Sequence, residues 1–263
     1  MLGRDFVQSR LGSDGSGISY AEFSYSLIQG YDFLHLFREY GVTLQLCGAD
    51  QWGNSVTGVD LIRRIEGKEA NVYSTPLVIN KTTGVKFGKS EDGAIWLDAN
   101  KTSVYSFYQF WLNADDAGVI DYLKVYTLLD KSTIDDLSNQ VQQNPGARSA
   151  QKALAHEVTV IVHGTERTTN VERVTSVLFG GADFKSLNNE ELDMLSGEIP
   201  NFATGKTITE YLIEAGFAGG KGDARRLIDS GAVTVDGQKI TEDSLINQTC
   251  LIKKGKNNFI LVR

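Results

Sequence analysis

Two lysines three residues apart, Lys86 and Lys89, with the hydroxyl of Ser90 beside the second, are the residues of this chain best equipped for chemistry. Gly84, Gly88 and Gly93 punctuate the same segment, so its backbone can bend and both ammonium groups can close on a phosphate chain and then withdraw. Lysine suits that task because it is a compact charge on a flexible stem. Taken alone, a K-x-x-K spacing is more often a solvated hairpin loop.

Upstream, the run from Gln45 to Asn54 (Q-L-C-G-A-D-Q-W-G-N) joins an alternating segment, Val42 to Cys47, to a helical one, Ser55 to Ile65. The alternation predicts a strand, and Asn54 is expected to cap the helix. A strand, a glycine turn and a helix N-terminus form the crevice where open α/β sheets bind nucleotides. Asp50 and Gln51 fall there: a carboxylate suits ribose hydroxyls, and an amide suits mixed donors and acceptors. An ordinary turn with its polar residues in solvent fits as well.

A third element comes first in the chain. Ser19 and Glu22 have the spacing of a capping box, opening a helix to about Tyr40 that Gly41 closes. Phe23, Leu27, Gly30, Leu34 and Phe37 make its main apolar stripe, while Tyr25, Gln29 and Asp32 align on the other side. That polar stripe either faces water or, because Ile28, Phe33 and Leu36 flank it, is buried. Buried and unpartnered, each such group would cost roughly 1–3 kcal/mol, so a polar small molecule is the expected partner.

The segments from Glu22 to Phe33, from Cys47 to Asn54 and from Lys86 to Ser90 together closely resemble bacterial tyrosyl-tRNA synthetase, a class I aminoacyl-tRNA synthetase. The resemblance runs along all 263 residues, including Ile95-Trp96-Leu97-Asp98 and Phe107-Tyr108-Gln109-Phe110-Trp111. It implies activation of tyrosine by ATP, with Mg2+, to an enzyme-bound tyrosyl-adenylate, and transfer to tRNA for tyrosine by a homodimer. By the same resemblance, Tyr25 and Gln29 hold the α-amino group of tyrosine, Asp32 accepts from its phenol, and Gln45 lines the pocket wall. Asp50 and Gln51 surround the adenylate, Asp50 towards the ribose, with Gly48 allowing close backbone approach. Lys86-Phe87-Gly88-Lys89-Ser90 stands for the class I lysine loop that stabilises pyrophosphate, a task of positioned charge rather than covalent chemistry. Cys47 and Ala49 replace a glycine and a serine common in the family; Cys47 reads as a small buried residue or a reactive thiol.

Class I synthetases also carry an H-I-G-H-type signature, and the three histidines here, His35, His156 and His163, have no H-x-G-H context. The chain therefore resembles a synthetase lacking the first half of its nucleotide fold, expected to be inactive by itself. The competing reading is a non-catalytic RNA-binding fragment or module.

Composition fits a multidomain protein of the cytoplasm: 41% hydrophobic, 22% charged, formal net charge −7, no membrane-length apolar run and no signal peptide. Two cysteines, Cys47 and Cys250, give neither a disulfide framework nor a metal motif. The fold class is α/β. Residues 1–98 read as the second half of a Rossmann-like catalytic domain, with an apolar strand around Thr75 to Ile79. Residues 99–197 read as an all-helical anticodon-side domain, with a helix start at Ser132 and Asp135, an interruption at Pro145 and breaks at Gly164 and Gly180-Gly181. His156 and His163 lie on one of its helices as structural residues. A linker, 198–205, leads to residues 206–263, a small α+β domain resembling the αL fold of a ribosomal protein. That tail carries nine Lys and Arg against seven Asp and Glu, net +2, whereas the residues before it carry 17 against 26, net −9. The asymmetry points to a polyanion partner, with Lys221, Arg225 and Arg226 projecting from a helix as the tRNA contacts. A merely solvated basic face is the alternative.

Overall fold

The first helix begins as its sequence dictates. The Ser19 hydroxyl accepts from the Glu22 N–H at 3.2 Å and the Glu22 carboxylate accepts from the Ser19 N–H at 2.9 Å, closing the capping box of α1 (Tyr20–Tyr40). Gly41, at φ 68°, ends it in the left-handed region that favours glycine. The computed structural model describes residues 17–82, 84 and 95–263. They fall into two bodies, residues 17–79 and 84 in one and residues 80–82 with those from 95 onward in the other.

In the first body, α1 is followed by β1 (Leu44–Gly48), a 3-10 turn at Ala49–Gln51, α2 (Trp52–Glu66) and β2 (Asn71–Thr75). β1 and β2 pair in parallel, from Leu44 opposite Asn71 to Gly48 opposite Thr75, so β1, α2 and β2 make one βαβ unit. α1 crosses α2 at nearly bare backbone: a Cβ on Gly30 would lie 2.9 Å from Thr57 Cγ2 and 3.1 Å from Gly58 N. Around that crossing Phe33, Leu34, Ile62 and Ala70 form the core, with Phe37, Val42 and Val59 against it.

Three details of the first body depart from expectation. The second strand ends at Thr75 because Pro76 has no N–H to give the ladder, so Thr75 to Ile79 is not the strand. Asn54 lies within α2, since the 3-10 turn feeds the helix one turn early; its side chain donates to Gln51 Oε1 at 3.0 Å. The sheet keeps one face open, with Leu46 (69% exposed) opposite Tyr73 (62%), although parallel sheets ordinarily cover both faces.

The second body opens with helices α3 (Val104–Leu112), α4 (Val119–Tyr126), α5 (Lys131–Gln143), α6 (Ser149–His163) and α7 (Thr165–Thr175), a π turn at Ser176–Gly180, and α8 (Asn189–Ser196). Asp130, rather than a residue near Ser132, caps α5, accepting from the Thr133 N–H at 2.8 Å. Pro145 starts a 3-10 turn between α5 and α6, and Gly164 separates α6 from α7. Both histidines of α6 are structural: His156 Nδ1 lies 2.8 Å from Glu172, and His163 meets Phe107 edge-on with ring centroids 4.8 Å apart. The buried Glu191 accepts from the Asn188 N–H at 2.8 Å and pairs with Arg173 at 3.1 Å, so its charge is compensated.

Beyond α8 come β3 (Asn201–Phe202), β4 (Lys206–Thr207), α9 (Ile208–Glu214), α10 (Lys221–Asp229), β5 (Val233–Val235), β6 (Gln238–Lys239), β7 (Leu245–Ile246), β8 (Cys250–Lys254) and β9 (Asn258–Val262). One sheet has the order β3-β9-β8-β5-β6, and β4 pairs with β7. Asp236 (φ 47°) and Gly237 (φ 80°) make the tight β5–β6 turn that D-G predicts. Alternation along β8 and β9 serves two cores. Cys250, Ile252, Ile260 and Val262 pack with Ile208, Leu212 and Ile228. Leu251, Phe259 and Leu261 pack with Val174, Leu178 and Leu195 of the helical part. Among the described residues no helix is long and apolar enough to cross a membrane.

Candidate functional site

The carboxyl end of β1 organises the candidate active site. At Gly48 a Cβ would lie 2.9 Å from Asp50 Oδ1 and 3.3 Å from Leu77, so glycine lets the Asp50 carboxylate fold back over the strand end. Asp50 is exposed and Gln51 half-buried, its Oε1 already accepting from Asn54. α2 opens at this turn, and the positive end of its dipole favours negative charge there.

α1 reaches the same turn through one bond: Gln29 Nε2 donates to Oγ of the buried Ser55, in the first turns of α2, at 3.5 Å. This ties the polar stripe of α1 to the A-D-Q turn. Sequence reasoning passed over Ser55, whose only signal is a small hydroxyl one helical turn beyond Gln51. Gln45, on β1, is half-buried, and its Oε1 is buried with no hydrogen bond among the described residues, so a donor reaching it is worth roughly 1–3 kcal/mol.

The expectation that the stripe is buried fails. Tyr25 is 58% exposed, Asp32 is exposed and only Gln29 is half-buried; of the flanking residues Ile28 is 66% exposed. α1 buries only the side that meets α2, through Ser26, Gly30, Phe33 and Leu34. Apolar neighbours on a helix indicate burial only where a second element covers them. Tyr25, Gln29 and Asp32 therefore present an open surface beside the strand end. Lys86, Lys89 and Ser90 lie outside the described residues.

On the terminal part, Ala224 and Ile228 root α10 in the core, which leaves Lys221, Arg225 and Arg226 exposed on its outer side. Arg226 has a loose pairing with Asp223 at 4.0 Å. A cleft of about 860 Å³ between the π turn and the β5–β6 hairpin is lined by Lys185, Lys239 and Lys253 together with Asp183 and Asp236, with the half-exposed ring of Phe179 at its side. Spacing along the chain does not show these three lysines together. Cys47 is half-buried; Cys250 is buried, and burial pushes its thiol up to about 12.

The first body thus has a βαβ unit with a carboxylate and an amide at the strand end and a polar helix face bonded to its helix, and the α+β tail exposes a basic helix. Residues 1–180 match the family described as tRNA synthetases class I (W and Y), and the chain belongs to that family. Residues 191–262 match the tyrosine–tRNA ligase SYY-like C-terminal domain. Among curated proteins, tyrosine–tRNA ligase 2 of Bacillus cereus is 44% identical over 276 residues, covering 100% of this chain and 64% of that protein. Tyrosine–tRNA ligase of Latilactobacillus sakei is 41% identical, with 100% and 65% covered. The chain thus spans somewhat under two thirds of the length of these relatives. Among solved structures, a C-terminally truncated mitochondrial tyrosyl-tRNA synthetase of Aspergillus nidulans aligns with TM-score 0.55 and 34% identity, over 68% of this chain and 50% of that one. The Coccidioides posadasii counterpart aligns with TM-score 0.51 and 33% identity, over 65% and 48%.

Proposed function

We propose that this chain is the part of a tyrosine–tRNA ligase that holds tyrosine, the adenylate and tRNA for tyrosine. The reaction is attack of the tyrosine carboxylate on the α-phosphorus of ATP, supplied as its Mg2+ complex, with release of pyrophosphate. The aminoacyl group then passes to the 3′ end of the tRNA. Tyr25 and Gln29 hold the amino group, Asp32 accepts from the phenol, and Gln45 lines the pocket. Asp50 takes the ribose and Gln51 the adenylate, with Gly48 beneath. Lys86 and Lys89, beside Ser90, place positive charge where the pyrophosphate leaves, which lowers the barrier without covalent catalysis.

The observation that carries this reading is the Gln29–Ser55 bond, which joins the amino-acid side of the site to the nucleotide side. In this reading residues 1–98 supply the second half of a Rossmann-like catalytic domain and 99–197 the anticodon-side domain. After the 198–205 linker, 206–263 supply an αL-type RNA-binding domain that grips tRNA through Lys221, Arg225 and Arg226. The working form is a homodimer in the cytoplasm.

The test joins these 263 residues to the part of the Bacillus cereus ligase that they do not span and assays charging of tRNA with labelled tyrosine. Charging of tRNA for tyrosine supports the reading. A folded chimera that binds the tRNA but never charges it favours the RNA-binding module instead.

A further inference from the structure

Ser55 is a polar side chain with 0% exposure in the first turns of α2. A buried hydroxyl costs free energy unless it is hydrogen-bonded, and serine is a poor choice for a helix interior, so its partner matters. Among the described residues that partner is Gln29, whose Nε2 donates to Ser55 Oγ at 3.5 Å. The contacts of Gly30 with Thr57, of Phe33 with Gly58 and of Arg38 with Glu66 advance together along the two helices, which therefore run in the same direction. Beside Gln29, a Cβ on Gly30 would lie 2.9 Å from Thr57 Cγ2, and Gly58 packs against Phe33, so the helices cannot slide past each other without a clash. Further along, Arg38 Nε donates to Glu66 Oε1 at 2.6 Å. The separation of Gln29 and Ser55 is thus fixed by the backbone. Ser26, one turn before Gly30 on the same face, has a second buried hydroxyl, which makes no hydrogen bond among the described residues.

We propose that Ser55 is a positioning residue: its hydroxyl sets which end of the Gln29 carboxamide faces the ligand, and so adds to the preference for an amino acid over the same molecule without its amino group. The inference rests on the amino-group role proposed above for Gln29. A carboxamide has a donor end and an acceptor end, whereas an α-ammonium offers donors alone, so Gln29 can serve it only through Oε1. With Nε2 engaged by Ser55, Oε1 is the end left for the ligand. A flipped amide would set its own N–H donors against the ammonium. The bond to Ser55 and the bond to the ammonium require the same orientation of one rigid group, so each favours the other. At 3.5 Å the Gln29–Ser55 bond is long. Hydrogen bonds of a binding site are often long before the substrate is seated and tighten with it.

The test in the chimera described above sets tyrosine beside hydroxyphenylpropionate, which has the same phenol and carboxylate but no amino group. In pyrophosphate exchange, Ser55→Ala should raise KM for tyrosine about fivefold, the size of one ordinary hydrogen bond, with kcat held within about twofold and the inhibition constant of hydroxyphenylpropionate unchanged. Combined with Gln29→Ala it should cost nothing more, because Ser55 acts through that amide. Ser26→Ala, which removes a hydroxyl just as buried but not bonded to Gln29, should leave both ligands as they were. Equal weakening of the two ligands by Ser55→Ala, an unchanged KM for tyrosine, or the full loss repeated in the Gln29→Ala background overturns the proposal. In the 263-residue chain, NMR of the Gln29 side-chain amide reads the bond itself. Its protons should exchange with water more slowly than those of the exposed Gln142 and Gln143, and Ser55→Ala should speed them about threefold or more. Exchange indifferent to Ser55→Ala likewise overturns the proposal. An unsubstituted chimera without pyrophosphate exchange counts against the ligase reading, and the Gln29 amide then decides whether Ser55 holds it.

Discussion

Gly58 on α2 faces Phe33 on α1 so closely that a methyl group on Gly58 would sit 2.8 Å from Phe33 Cβ. The contact is with the root of the side chain, which cannot turn aside as a ring tip can. Gly58→Ala gains up to about 1 kcal/mol of helix propensity but forces overpacking worth roughly 1–3 kcal/mol. Net destabilisation of about 1 kcal/mol or more is expected, read as a lower urea midpoint with an unchanged slope.

Asp32→Ala should narrow the preference for tyrosine over phenylalanine. The carboxylate makes a missing phenol hydroxyl costly, so its loss penalises tyrosine by roughly ten- to a hundredfold, the equivalent of about 1–3 kcal/mol, and phenylalanine hardly at all. The measurement is pyrophosphate exchange by the chimera with each amino acid. Equal losses contradict the role given to Asp32.

Lys86→Ala and Lys89→Ala should each slow adenylate formation and leave tyrosine affinity nearly unchanged, because their charge is needed mainly in the transition state. Stopped-flow formation of the adenylate, set beside equilibrium binding of tyrosine, separates the two effects. A large change in tyrosine binding would place the lysines in the ground-state site instead.

Neutralising Lys221, Arg225 or Arg226 singly should weaken tRNA binding and reduce the slope of log affinity against log salt by about 0.7–0.9, the contribution of one phosphate contact. Reversing all three to glutamate should abolish charging while adenylate formation survives. Filter binding over a salt series checks this, and an unchanged slope would mean a merely solvated face.

Cys250 should resist alkylation in the folded protein at pH 8, where Cys47 reacts. Burial raises the Cys250 thiol from its ordinary 9.0 to about 12, so the folded state holds a proton that the unfolded state loses in between. Stability from this residue is therefore full below about pH 9 and declines as pH rises towards 12. Mass spectrometry after iodoacetamide treatment, native and in urea, reads the first effect; thermal melts between pH 8 and 11 read the second.

The capping box of Ser19 and Glu22, the Gly41 stop and the D-G hairpin were legible because each is a local pattern whose geometry depends on a few adjacent residues. The A-D-Q turn was legible for the same reason. The exposure of Tyr25 and Asp32 was not, since it depends on what lies over the far side of α1 and not on α1 itself. Pro76 was a readable signal against a strand from Thr75 to Ile79, outweighed by the apolar run that follows it. The Gln29–Ser55 bond joins residues 26 positions apart, a kind of relation that periodicity does not contain.

Because β8 and β9 turn alternate side chains into two separate cores, their sheet is a wall common to both. The helix carrying Lys221, Arg225 and Arg226 rests on one side of that wall, and α7 and α8 rest on the other. The two sides are therefore held at a set separation by one shared sheet and not by a flexible linker, so a cavity cut into either core would be felt on both faces of the wall.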